Sequence, residues 1–196
     1  LDNKTTLIDQ LSTQDHVHII NNYQQTTISS YNNPTIRSLL ADYRGTTHLQ
    51  YIVSPNGKPE LCTTPGQEPL FFSISHSANV ATLLVSKTGA VGIDVEAIFP
   101  RPHANDIAKR YFALKTPCNL FDFYRHWTAR EAYIKAIGGR LFRDMAGITV
   151  RAGSEFGIGH QSITHNVSFF EPRPGFMGAL CRPKNSQKVI KVINQP

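Results

Sequence analysis

Residues 90–98 read AVGIDVEAI, a run in which apolar and acidic residues alternate with a period of two. A β-strand turns that period into two chemically distinct faces. Val91, Ile93 and Val95 then share one face, and Asp94 and Glu96 the other. Residues two apart on a strand lie about 6.5–7 Å from one another, near enough for both carboxylates to lean toward one ligand. Two neighbouring carboxylates repel, which raises the pKa of one of them. A hard cation such as Mg²⁺ removes that penalty, taking carboxylate oxygens together with water and phosphate. A half-exposed strand with a solvated acidic face satisfies the same pattern, so the acids gain meaning only from other residues.

The chain of 196 residues is long enough for one compact unit or two small halves with a real core. No apolar stretch approaches the roughly 18 residues that cross a bilayer, which predicts no membrane span. The opening LDNKTTLIDQ lacks a basic n-region and an apolar h-region, so no secretory signal is expected; it also lacks Met. Cys62, Cys118 and Cys181 are odd in number and far apart. They form neither a disulfide framework nor a zinc spacing, and predict free thiols in the cytoplasm. The net charge of +6 is concentrated in residues 101–143, which hold nine Lys and Arg against Asp106, Asp122 and Glu131. One basic surface is expected, suited to an acidic protein, a phosphorylated ligand or nucleic acid; a solvated helical face is the plainer alternative.

Along the chain, HVHII predicts a strand on which His16 and His18 share a face. Without a third ligand nearby they read as packing or surface histidines before metal ligands. TIRSLLADYRG predicts a short helix ended by Gly45, and SPNGKPEL a turn. LFFSIS, NVATLLVS and the opening run predict three consecutive antiparallel strands over residues 70–96. A helical segment is expected over 104–114, and a longer helix from about Asn119 to Ile137, stopped by Gly138-Gly139. The apolar stripe of that longer helix runs through Leu120, Phe123, Tyr124, Trp127, Ile134 and Ile137. Glu131 lies on the same stripe, one turn beyond Trp127, and Lys135 one turn further. A carboxylate there calls for a partner. The tail from GITVRAG to KVIKVIN predicts further short strands.

In order, the chain offers Gly57-Lys58-Pro59, FSISHS at 72–77, VGIDVE at 91–96, AKRYF at 108–112 and WTAREAYIKAIGG at 127–139. This ordered series resembles the Sfp-type 4′-phosphopantetheinyl transferases, bacterial enzymes that serve siderophore and fatty-acid carrier proteins. The resemblance covers roughly residues 57–140. It implies transfer of 4′-phosphopantetheine from coenzyme A to a serine of an acidic apo acyl or peptidyl carrier protein, releasing adenosine 3′,5′-bisphosphate. It implies Mg²⁺ held by Asp94, Glu96 and Glu131, with Glu131 also the base and Lys135 stabilising charge on the phosphates. Lys58, Ser75 and His76 would bind the nucleotide end of coenzyme A. The implied fold is α+β: two similar halves, 1–88 and 89–196, each a small antiparallel sheet with a packed helix, and the active site in the cleft between them. A monomer without nucleic-acid or membrane partners is expected.

The chain departs from that family in places. Asn33-Pro34 stand where a basic residue toward the 3′-phosphate is usual, with only Arg37 near, and Arg130 replaces a lysine after the helix tryptophan. Two other readings fit the residues alone. A Mg²⁺-dependent nuclease would use the same acids and basic helix, and a non-catalytic binding module would use only the basic face.

Overall fold

In the computed structural model, residues 14–25, 29–115, 117–150, 156–159, 165–186 and 189–195 are described; the stretch 1–13 and residues 151–153 of the GITVRAG run lie outside them. The elements are β1 (Gln14–Ile20), a 3-10 turn (Ser30–Asn32), α1 (Pro34–Arg44), β2 (Tyr51–Val53), β3 (Pro59–Leu61), β4 (Phe71–Ser77), β5 (Val80–Ser86) and β6 (Gly92–Ala97). There follow α2 (Ala104–Ile107), running into a π-helical turn (Ala108–Phe112), α3 (Leu120–Ile137), α4 (Leu141–Met145), β7 (Thr149–Val150), β8 (Phe156–Gly159), β9 (His165–Phe170), β10 (Phe176–Pro183) and β11 (Val189–Gln195). Strands are ordered β11-β1-β5-β4 in one sheet and β6-β10-β9-β8-β7 in a second, with β2-β3 a separate hairpin. The fold is α+β, with small, mainly antiparallel sheets and few helices, as the resemblance implies.

Local chemistry sets the helix ends. Asn33 caps α1, its side chain accepting from the N–H groups of Thr35 (3.0 Å) and Ile36 (3.4 Å), and Pro34 follows at the first helical position. Asn119 caps α3 in the same way, accepting from Asp122 N at 2.8 Å. Gly45 and Gly138 end these helices in the left-handed region, at φ 67° and 63°.

Every residue of β5 is buried, which is why NVATLLVS reads as a continuous apolar run rather than an alternating one. Ala81, Leu83 and Val85 face α1, packing with Ile36, Leu40 and Tyr43. Val80 and Leu84 face the other way, together with Val17 and Ile19, onto Val91, just before β6, and Ile93 and Val95 within it. Helix α3 covers the opposite face of the second sheet, setting Phe123, Trp127 and Ala132 against Val167, Ala179 and Cys181.

Two sequence expectations change. The three-stranded meander over 70–96 stops at two strands: β4 and β5 form the hairpin, but β6 pairs with β10. The linker after Ser86 carries the chain into the second sheet, and β6 lies beside β4 without a backbone ladder between them. The first sheet is also not wholly antiparallel. β11 runs parallel to β1, from Gln14↔Val189 to Ile20↔Gln195, because the last strand returns to the sheet of the first. The cut at residues 88/89 therefore leaves residues 189–195 in the sheet of the N-terminal part. Among the described residues, no helix is long and apolar enough to cross a membrane.

Candidate active site

Gly92, Asp94 and Glu96 share the face of β6 that meets α3. A Cβ on Gly92 would lie 1.8 Å from the Ala132 carbonyl oxygen and 2.5 Å from Ala136 N. Only a residue without a side chain lets strand and helix approach so closely. Glu131 and Lys135, one helical turn apart beside those alanines, are thereby brought over the strand acids.

Lys135 Nζ lies 2.6 Å from Asp94 Oδ1 and 3.7 Å from Glu131 Oε2. Asp94, Glu96 and Glu131 each offer an oxygen, and these atoms lie within 4.8 Å of one another. Burial, and then the Asp94 carboxylate, push the Glu131 carboxyl up to about 8, with Lys135 acting in the opposite direction. Glu96 is raised for the same two reasons, burial first. Burial opposes the charge on Lys135, yet Asp94, Glu131 and Glu96 together hold its pKa above the ordinary lysine value. Carboxylates so crowded resist ionising together.

Asp94 is only 2% exposed, and its Oδ2 has no hydrogen-bond partner among the described residues. An orphaned carboxylate oxygen within a triad of acids fits a hard divalent cation with oxygen ligands, such as Mg²⁺. Arg101 stands at the rim, its guanidinium 4.2 Å over the Trp127 ring and 3.9 Å from Glu96 Oε1.

Ser75 joins this group directly. Its hydroxyl donates to Asp94 Oδ1 at 2.8 Å and accepts from Lys135 Nζ at 2.9 Å. His76, on the opposite face of β4, stacks on Tyr23 at 5.4 Å between centroids, and burial, followed by Lys135, lowers its pKa. Lys58 does not reach the acids. Its ammonium donates to Ala136 O at 3.0 Å and Val91 O at 3.3 Å, capping the C-terminal end of α3. The adjacent β2–β3 turn adds Asn56 Nδ2 to Gly138 O at 2.7 Å. Under this contact lies a cavity of about 240 Å³ lined by Lys58, Pro59, Ile74, Ile134 and Lys135.

Of the residues expected to act, Asp94, Glu96, Glu131, Lys135 and Ser75 thus form one cluster, with Lys58 across the adjoining cavity and His76 behind β4. Arg130 is buried on the far side of α3, against His126 and the Phe112 ring, and so does not belong to the basic surface. His16 and His18 are packing residues. Their Nδ1 and Nε2 share the Tyr43 hydroxyl at 2.5 and 2.7 Å.

Gly92, Ser77 and Arg101 were not singled out from sequence. The serines at 73, 75 and 77 in FSISHS did carry a signal, hydroxyls repeating at the strand period of two.

Residues 90–165 match the family model of the 4′-phosphopantetheinyl transferase superfamily. A Synechocystis sp. protein is 36% identical over 99 residues, which are 46% of this chain and 40% of that protein. The 4′-phosphopantetheinyl transferase HetI of a Nostoc sp. is 33% identical over 114 residues, 53% of this chain and 48% of its own. A 4′-phosphopantetheinyl transferase of Bacillus subtilis is 31% identical over 124 residues, 59% of this chain and 51% of its own. The chain spans about half the length of these curated relatives, or less. Asp94, Glu96, Glu131 and Lys135 all fall inside the matched segment. Over that segment, and in the acids it carries, the chain is similar to the 4′-phosphopantetheinyl transferase superfamily.

Proposed function

We propose that this chain transfers the 4′-phosphopantetheine arm of coenzyme A to a serine hydroxyl of an apo carrier protein, with Mg²⁺ as cofactor. The observation that carries the reading is the triad Asp94, Glu96 and Glu131 with Lys135 among them, Lys135 also lining a cavity between the β2–β3 hairpin, β4 and α3.

Asp94, Glu96 and Glu131 would hold the cation. When bound, it neutralises the pyrophosphate and takes over the charge that otherwise crowds the acids. The carrier's serine oxygen attacks the β-phosphorus of coenzyme A. A new P–O bond forms to the serine, the bond to the bridging oxygen on the adenosine side breaks, and adenosine 3′,5′-bisphosphate leaves. Glu131 accepts the serine proton, directly or through water. Lys135 remains cationic over the working pH range, since three carboxylates hold its pKa up, and it stabilises charge as the bond breaks. Such transfers depend mainly on positioning and charge neutralisation, which this cluster supplies.

The carrier would approach over the basic segment. Lys109, Arg110, Lys115, Arg140 and Arg143 are exposed there, as are Phe121 and Phe142 in the same segment and Phe99 just before it. An acidic, partly apolar partner suits that surface. Cys62, Cys118 and Cys181 are all free thiols, which suits a monomer working in the reducing cytoplasm.

Incubation with coenzyme A, Mg²⁺ and an apo carrier, followed by mass spectrometry of the carrier, tests the reading. A carrier heavier by one phosphopantetheine supports it, and an unmodified carrier across acyl and peptidyl types counts against it. Nuclease action would instead show as oligonucleotide cleavage that depends on Asp94.

A further inference from the structure

We infer that Ser77 is a positioning residue for the metal ligands, and that the side-chain seam between β4 and β6 presets Asp94 and Glu96 for a divalent cation. The inference rests on reading the acidic triad as a metal site.

The seam has three rungs. Ser73 Oγ accepts from Ile93 N at 3.0 Å, Ser75 Oγ from Val95 N at 3.3 Å, and Ser77 Oγ from Ala97 N at 3.1 Å. The offset between partners is the same at each rung, so β4 and β6 run side by side in one direction. Each serine hydroxyl stands where a neighbouring strand's carbonyl would accept in a parallel ladder. The edge of the second sheet is thus satisfied by side chains of the first.

A backbone carbonyl can only accept, whereas a hydroxyl also has a proton to donate. Ser75 gives its proton to Asp94 Oδ1 and Ser77 gives its own to Glu96 Oε2, both at 2.8 Å. One oxygen of each strand acid is therefore held by the seam, leaving the second for another ligand. For Asp94 that second oxygen is the buried Oδ2, which has no partner among the described residues. Glu96 has more rotatable bonds than Asp94 and loses more freedom on ligating a metal, so prior fixing matters most there. Ser77 supplies that fixing. Among the described residues, the Ser73 hydroxyl contacts no carboxylate and serves the seam alone, which makes it an internal control.

The test uses the full chain and Mn²⁺ alone, with binding read from loss of the free-ion EPR signal and folding from thermal unfolding. Ser77→Ala is expected to weaken Mn²⁺ binding about tenfold, in line with other residues that orient metal ligands. Ser77→Thr, which keeps the hydroxyl, restores it. Ser73→Ala lowers the melting temperature comparably but binds Mn²⁺ at the wild-type affinity. Should Ser77→Ala not fold, Ser77→Cys, with its weak donor, carries the same comparison. Wild-type affinity in the Ser77 variant, or equal weakening by Ser73→Ala, would overturn the inference. A wild-type chain that binds no Mn²⁺ overturns the metal reading itself, a result distinct from either.

Discussion

Gly92 lies against the peptide backbone of α3 so closely that a Cβ there would fall 1.8 Å from the carbonyl oxygen of Ala132. The obstructing atoms are backbone and cannot swing aside, so a methyl group must push strand and helix apart. Gly92→Ala is expected to destabilise the protein by about 3 kcal/mol, the upper part of the range for overpacked cores. Metal affinity should fall too, because the strand and helix acids separate. Urea unfolding combined with Mn²⁺ titration checks both; a stable variant with unchanged metal binding would show that the close approach does not set the site.

Lys135 and Glu131 distinguish a surface ion pair from catalytic groups. Lys135→Ala removes the cation nearest Asp94, and kcat is expected to fall by about 10²-fold or more. Glu131→Gln keeps the shape but loses the metal charge and the base, and should be at least as damaging. Rates at saturating coenzyme A and carrier provide the measurement. Near wild-type turnover in both would remove the pair from the mechanism.

Lys58 is held by main-chain carbonyls of α3 and of the residue before β6. Lys58→Met keeps the aliphatic stem and deletes the charged donor, at an expected loss of about 1.5–3 kcal/mol. Because the same residue borders the cavity beside Lys135, a raised KM for coenzyme A should accompany the loss. Denaturant curves and KM measured on one preparation separate the capping role from the binding role.

Burial lowers the pKa of both His16 and His18 to about 4, from an ordinary 6.5. Smaller contributions to those values come from Lys191 at His16, opposed by Asp15, and from His16 and then Lys191 at His18. Below pH 6.5 the unfolded chain takes up protons that the folded chain refuses. Their contribution to stability is therefore fully present above pH 6.5 and is lost as pH falls toward 4. The loss is at most roughly 3 kcal/mol for each histidine. Stability by denaturant at intervals between pH 7 and 4, alongside histidine ring NMR shifts, tests this; rings that titrate near 6.5 in the folded protein would refute it. Tyr43→Phe, which strips the shared hydroxyl from both rings, should cost about 1–3 kcal/mol at pH 7.

The carrier surface carries its own expectation. Arg110→Glu reverses an exposed charge and should raise the apparent KM for an acidic carrier more than that for coenzyme A. The effect should shrink as salt rises, since exposed charges are screened over about 8 Å at physiological ionic strength. Equal changes in both KM values would place docking elsewhere.

The sequence by itself determined the elements whose signals are local. The start of the long helix near Asn119, the stops at Gly45 and Gly138, and the alternation over residues 91–96 are chemistry between near neighbours, and each is found where it was expected, whereas the cap at Asn33 emerged only from the structure. The two-faced character of β6 was equally legible, with valines and isoleucine to the core and acids away from it. Pairing between distant segments was not. Nothing in VGIDVE distinguishes a strand that continues a meander with β5 from one that crosses to β10, since both choices bury the same apolar face. Nor does KVIKVIN announce that it lies parallel to β1. Lys58 and Arg130 show the same limit at single residues. A lysine in a turn and an arginine on a helix read as solvated or substrate-facing, but their partners are carbonyls and rings supplied by other elements. The tertiary structure also decided that three serines, unremarkable as a polar strand face, would replace a backbone ladder and hold the acids. A hydroxyl's role depends on which donors and acceptors stand beside it, and only the folded chain brings β4 and β6 together.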